Sequence, residues 1–465
     1  MAEKLKKRAG LGRWLALAIA GCVLLPIVSI AWMGFGSDGA RWAHLLATVF
    51  PRYLSNSLSL MLGVGAVSLL LGTSLAYLIT HLEFPGRKWV QYGLFLPLAM
   101  PSFVAAYAWV DVLEYAGPLQ TTLRDLAGWS SVRDYWFPNI RSLPGAIFVL
   151  SLTLYPYVYL LARAAFRELP ASGQDVARSL GLGHMRQFLR VSLPQARPAI
   201  AAGTAIVMME TLNDFGTVDY FAVQTLTTGI FSIWLESYDP GGAAQLAVLA
   251  ALIVAGLLGV EKIGRRRARF HKSGRQLAPI QPQPLSSRQG AAVLLYCLVP
   301  MGLGFLIPLM VLVAPVVSNL SLWSDTGLWR AAAHSLALGG ASAGLVVTLA
   351  TVMVLGLQKT PAAWKKSLLT LTTVGYAFPG AVLGLGILIP LATFDNWLAD
   401  LVFATFRRVP GLLLTGSAGA LFVAYLVRFF VIVFGLDCAC SAASPTNNPL
   451  SPMTLGRSPK TVYSN

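Results

Sequence analysis

LSNSLSLMLGVGAVSLLLGTSLAYLIT, residues 54–80, holds no charged side chain. At 1.5 Å per residue it makes a helix of about 40 Å, longer than the roughly 30 Å hydrocarbon core of a bilayer requires. Comparable runs recur near 14–34, 92–113, 143–165, 198–218, 243–260, 291–317, 335–357, 367–391 and 411–434. The whole chain of 465 residues is 56% hydrophobic and only 12% charged, where a soluble domain is about one quarter charged. Its mean hydropathy is +0.65. These values exclude a water-soluble enzyme and predict an all-α polytopic membrane protein of about ten transmembrane helices.

The formal charge of +16 is spread over the short segments between apolar runs, so it reports topology and not a nucleic-acid partner. With the N-terminus in the cytoplasm, the segments 1–13, 81–91, 163–197, 261–290, 358–367 and 435–465 face inward and hold 26 of the 35 lysines and arginines. The positive-inside rule demands that asymmetry. Lys4, Lys6, Lys7, Arg8 and Arg13 precede the run Trp14–Gly34 much as in a secretory leader. The run is long enough to span and no small-x-small site closes it, so it is expected to be the first transmembrane helix. Cys22, Cys297, Cys438 and Cys440 suit neither a disulfide framework nor a tetrahedral metal site.

Residues 261–290 read as a linker, with Arg265-Arg266-Arg267 followed by the Pro- and Gln-rich stretch Pro279–Pro284. Across it the chain repeats. An offset of 278 places Ser57-Leu58 on Ser335-Leu336, Arg87-Lys88 on Lys365-Lys366 and Pro101 on Pro379, without a gap. Parallel duplication of a six-helix unit follows, with 1–260 as first half and 291–465 as second, a plan by which transport proteins surround a central pathway. Pro101 and Pro379 would each kink a helix, as a pathway hinge or as a packing feature. The second half supplies only four spans where six are expected. The expectation is a C-terminus changed by frame disturbance and truncation.

The inward segment 166–197 is long and amphipathic. Pro170 to Ser172 offers a helix start, Gln174 to Leu180 a short helix and Gly181 a stop, and a second short helix from about His184 is expected to close at Pro194. Leu180, Leu182, Phe188 and Leu189 would form an apolar ridge that needs a partner, and a groove on another protein is its natural seat. The segment resembles the coupling loop of ABC-importer permeases, in which Glu-Ala-Ala is followed after three residues by Gly and after nine more by Ile-x-Leu-Pro. Asp175, Val176 and Ala177, then Gly181, then Val191, Leu193 and Pro194 fill those positions with every spacing met, with Asp for Glu and Val for Ala and Ile as departures. The resemblance implies the parallel two-half type I importer permease fold, docked on a cytoplasmic ABC ATPase dimer that carries the ATP and Mg. This chain would bind no cofactor and no metal of its own. A fragment of the loop returns at Leu455 and Gly456, within a degenerate segment 436–465 where Pro445, Pro449 and Pro452 preclude a helix.

Span five carries Glu210 and Asp214, four apart and so on one helix face. A carboxylate at mid-membrane costs roughly 2.5–3.5 kcal/mol on insertion scales, so both are expected to face protein or water, lining a pathway or packing helices by hydrogen bonds. Asp214-Phe-Gly-Thr-Val and Thr227-Thr-Gly-Ile resemble the fused two-half ferric-iron permeases. That likeness implies an inner-membrane subunit, itself not an enzyme, that receives ferric iron from a periplasmic ferric-iron-binding protein. Thiamine and phosphonate permeases share much of the pattern. An ion-coupled secondary transporter would share the repeat and the intramembrane carboxylates but has no use for an ATPase-docking loop. Neither a phosphate-cradling Gly-rich loop nor a His-Glu-x-x-His pair occurs.

Overall fold

The computed structural model describes residues 2–36, 39–170, 173, 176–177, 179–267, 281–357, 380–407 and 411–443. Helices dominate: α1 Ala2–Gly36, α2 Gly39–Ala47, α3 Phe50–His81, α4 Arg87–Gly93, α5 Ser102–Leu113, α6 Pro118–Ala127, α7 Leu143–Arg167, α8 Leu193–Asn213, α9 Gly216–Tyr220, α10 Leu226–Phe231, α11 Pro240–Arg267, α12 Ser287–Met301, α13 Ile307–Ser318, α14 Thr326–Gly356, α15 Gly380–Phe406 and α16 Ala418–Ala443. Among the described residues seven helices are long and apolar enough to cross a membrane, eight if one bent pair counts as a span, and Ala418–Phe430 is a shorter apolar helix.

The expected runs are corrected in three places. The run 92–113 is broken, with the path bent by 92° between Arg87–Ala99 and Ser102–Ala127. Pro101 therefore does not kink a continuous helix; it is the N-cap residue of α5, in extended conformation at ψ 134°, because its ring and missing N–H bar a residue-by-residue continuation. The run 198–218 ends at Asn213. The helix that carries the end of the run 367–391 continues to Phe406. Asp395 within it is buried, and its carboxylate accepts backbone amides from Leu414 and Thr415, so a polar position that reads as a loop stays helical. Pro379 lies outside the described residues.

The chain forms two compact units, one of Ser37–Ser324 with Pro379–Ala381 and one of Met1–Gly36, Asp325–Phe378 and Val382–Asn465. This division differs from the sequence halves 1–260 and 291–465: α1 packs with α14 and α16, and α12–α13 pack with α4, α5 and α7. In the larger unit α3, α7 and α8 pack pairwise. Gly72 and Gly203 both lie against Val158, where a Cβ would approach to 2.6 Å and 2.9 Å, and small residues at crossings let membrane helices approach closely. The core there runs from Leu60 and Val64 through Tyr155, Tyr159 and Phe166 to Cys297 of α12. Trp109 Nε1 donates to the Leu303 carbonyl at 3.2 Å, and the Ser74 and Tyr296 hydroxyls lie 2.7 Å apart. In the smaller unit Ala16, Ile19 and Val23 of α1 pack with Val346, Ala350 and Met353 of α14 and with Val427 and Phe430 of α16.

Candidate functional site: a coupling segment and a helix joint

Between α7 and α8 the described residues include a helical turn at Val176, Ala177 and Ser179. Leu180 N–H donates to the Val176 carbonyl at 3.1 Å and Leu182 N–H to the Ala177 carbonyl at 3.0 Å. Gly181 ends the turn at φ +72°, a left-handed conformation in which a side-chain-bearing residue is strained, although space for a Cβ is open. Ala177 is 3% exposed and faces inward. Val176, Leu180, Met185 and Leu189 stand 58%, 73%, 69% and 51% exposed, an apolar set that solvent alone does not explain. This corrects the ridge read from sequence: Phe188 turns inward and Met185, a residue the spacing argument missed, joins the exposed set. Asp175, Leu455 and Gly456 lie outside the described residues.

The second helix does not close at Pro194. His184–Gln187 passes through a π-helical turn, Phe188–Ser192, directly into α8. Leu193 N–H reaches back to the Phe188 carbonyl, and this wide turn, with Val191 inside it, ends two residues before Pro194. A proline here removes the bond to residue 190 and crowds its carbonyl, and the extra residue in the turn absorbs both. The turn is anchored to the bundle. The Phe188 ring lies 4.7 Å from Tyr77, which stacks on His81 at 4.2 Å, and both of those rings meet Phe166 edge-on. The buried Ser192 hydroxyl lies 3.4 Å from His81 Nε2. Sequence reading passed over Tyr77, His81 and Phe166 because each looks like an ordinary residue at a helix end.

At its other end α8 stops at Asp214. The carboxylate accepts the Ser102 hydroxyl at the start of α5, the Thr217 N–H at 2.8 Å and the Thr217 hydroxyl at 3.1 Å. A Cβ on Gly216 would come within 2.9 Å of Phe103 Cβ, so only glycine permits this approach. Phe215 packs on Phe231 with centroids 4.2 Å apart. Asp214 and Pro101, far apart in sequence, thus meet at one joint, while Glu210 sits one turn before it on α8, partly buried. The Thr225–Ile230 stretch is fixed beside them: Thr225 and Thr228 form a reciprocal helix cap, Thr227 Oγ1 donates to the Leu212 carbonyl at 2.5 Å, and Leu226 N–H donates to Ser57 Oγ at 2.9 Å. Among the described residues no group of three or more His, Cys, Asp or Glu is placed to hold a metal ion.

Residues 68–269 match the family of binding-protein-dependent transport system inner membrane components. The matched segment is a little under half of the chain. The matched segment contains α7, the turn ended by Gly181, the π turn, α8 and the joint. The chain is 30% identical over 223 residues to the Fe(3+)-transport system permease protein FbpB 2 of Haemophilus influenzae, a match covering 48% of this chain and 39% of that protein. It is 27% identical over 230 residues to the molybdenum transport system permease protein ModB of Escherichia coli strain K12, covering 47% of this chain and 97% of that one. A solved bacterial alginate ABC transporter in complex with an alginate pentasaccharide-bound periplasmic protein aligns with TM-score 0.44 at 18% identity, over 52% of this chain and 88% of that chain.

Proposed function

We propose that the chain is the permease subunit of an ABC importer that passes ferric iron across the inner membrane, with its N-terminus in the cytoplasm. The observation that carries the importer reading is the exposed apolar set Val176, Leu180, Met185 and Leu189 on a turn stopped by Gly181 in left-handed conformation. A helix-bearing apolar face of this kind fits a groove on a cytoplasmic ABC ATPase dimer, which would hold the ATP and Mg. Movement of that groove would reach Phe188 and Ser192, hence His81 and Tyr77, and travel along α8 to the Asp214 joint on α5. A periplasmic ferric-iron-binding protein would deliver the cargo from the opposite side.

Ferric iron is supported by the Haemophilus relative and by the carboxylate of Glu210 near the joint, an oxygen ligand suited to a hard cation. A tetrahedral oxyanion is the second reading. It is favoured by the Escherichia coli relative, matched over nearly its whole length, and by Asp214, whose oxygens already accept protein donors. Uptake of radiolabelled ferric iron and of radiolabelled molybdate by a permease-null strain complemented with this chain, its ATPase and its binding protein separates the two. ATP-dependent iron uptake lost in Gly181→Val supports the proposal. Uptake of molybdate alone transfers it to the second reading, and transport without any ATPase sinks the importer.

A further inference from the structure

The last turns of α3 and α7, with α4, enclose a cavity of about 240 Å³ at the end of the larger unit from which the coupling segment projects. Its walls include Thr80, Arg87, Gln91, Arg163, Arg167 and Pro282. Three guanidinium groups around one small space repel each other unless something negative lies between them. The one carboxylate paired to them among the described residues is Glu83, which takes Arg87 Nη1 at 2.6 Å and does not line the cavity.

Two of the guanidiniums are held in place before any ligand arrives. Arg87 Nε donates to the Ile79 carbonyl at 2.7 Å, and Arg163 Nη2 donates to Gln91 Oε1 at 2.5 Å while its plane lies 5.8 Å over Phe95. Gln91 is itself fixed, since its Nε2 donates to the Lys88 carbonyl and its own carbonyl accepts the Tyr159 hydroxyl at 3.0 Å. Arg87 Nη2, Arg163 Nε and Nη1, and the whole Arg167 head make no hydrogen bond among the described residues. The linker between the sequence halves closes one side. Gln283 and Pro284 pair in parallel with Leu82 and Glu83, and Leu285 N–H donates to the Glu83 carbonyl, which sets Pro282 in the wall.

We infer that this cavity is a binding site for a phosphate-type anion, taken either as free phosphate or as the headgroup of an anionic phospholipid. Planar guanidinium forks match the oxygens of a phosphate, and basic pockets between membrane helices on the positively charged side accept such headgroups. Occupancy would lock the linker strand to the ends of α3 and α7, beside the turn that anchors the coupling segment. The site stands apart from the transported substrate and is independent of which cargo the permease carries.

The test uses the purified full chain in phosphatidylcholine nanodiscs, read by hydrogen–deuterium exchange over residues 80–91 and 281–290. One arm titrates inorganic phosphate; the other places phosphatidylglycerol in the nanodisc. Exchange is expected to slow saturably in at least one arm, and about tenfold more ligand should be needed in the Arg163→Gln/Arg167→Gln pair. Arg186→Gln/Arg190→Gln, two exposed arginines that do not line the cavity, should change nothing. Slowing by phosphate alone assigns the free anion, and slowing by phosphatidylglycerol alone assigns the headgroup. No slowing in either arm, or slowing that the glutamine pair retains, overturns the site. Should the glutamine pair not fold, Arg163→Lys/Arg167→Lys decides: binding weakened by loss of the forks upholds the site, and unchanged binding overturns it.

Discussion

Gly181 is the residue at which local chemistry bears most directly on the proposed coupling. At φ +72° asparagine is tolerated and a β-branched residue is not, so Gly181→Asn should retain ATP-driven uptake. Gly181→Val should lose it, at a local conformational cost of about 1–2 kcal/mol. Asp214 makes a second residue-scale argument. Asp214→Ala leaves the Ser102 hydroxyl and the Thr217 amide without their acceptor, a change expected to cost about 1–3 kcal/mol and to lower the midpoint of thermal unfolding in detergent. Asp214→Asn, which keeps an acceptor oxygen, should lose less. Outside the membrane, Asp134 caps the turn at Val132–Asp134 by accepting the Ser130 and Ser131 amides at 2.9 Å and 2.8 Å, and these bonds hold its carboxyl below the usual range. Because the folded value is depressed, the cap contributes above the unfolded carboxylate pKa and is lost as pH falls through the folded one. Hydrogen exchange of residues 129–135 should therefore be faster in Asp134→Asn than in wild type at neutral pH, and the difference should vanish in acid.

At the scale of elements, the π turn Phe188–Ser192 is the piece that joins the exposed apolar set to α8. Its extra residue sets the rotation of His184–Gln187 about the α8 axis, and each residue of an α-helix turns about 100°. Deleting Leu189 would restore an ordinary helical register and swing Met185 and the preceding turn away from their present face. The expected outcome is a chain that inserts normally and transports nothing, read as normal membrane abundance with ATP-stimulated uptake absent. Normal uptake by that deletion would dismiss the turn as a coupling element. Phe188→Ala removes a ring packed on Tyr77 and should cost about 2 kcal/mol, less than a fully enclosed phenylalanine, since Phe188 is only partly buried. The joint at the other end of α8 belongs to this scale too, because the 92° bend before α5 is held by Asp214 and not by Pro101 alone.

The whole molecule is divided where the sequence repeat does not divide it. A fragment of residues 37–324 contains one compact unit, including the Cys297 core contact and the Trp109–Leu303 hydrogen bond, and should express as a folded membrane species resistant to limited proteolysis. A fragment of residues 1–260 lacks α12 and α13, leaves Trp109 without its acceptor, and should be degraded faster. The reverse ranking would show that the sequence halves are the folding units after all. By itself the sequence determined the membrane class, most of the helix-forming runs and the glycine stop at Gly181, because hydropathy and a glycine stop are properties of neighbouring residues and survive without knowledge of the fold. Only the tertiary structure decided that Phe188 faces in and Met185 out, that Asp214 closes a joint with Ser102 112 residues away, and that α1 leaves its own sequence half. Each of these depends on which surfaces meet in three dimensions, and apolar helices of similar composition satisfy the bilayer equally well in many arrangements.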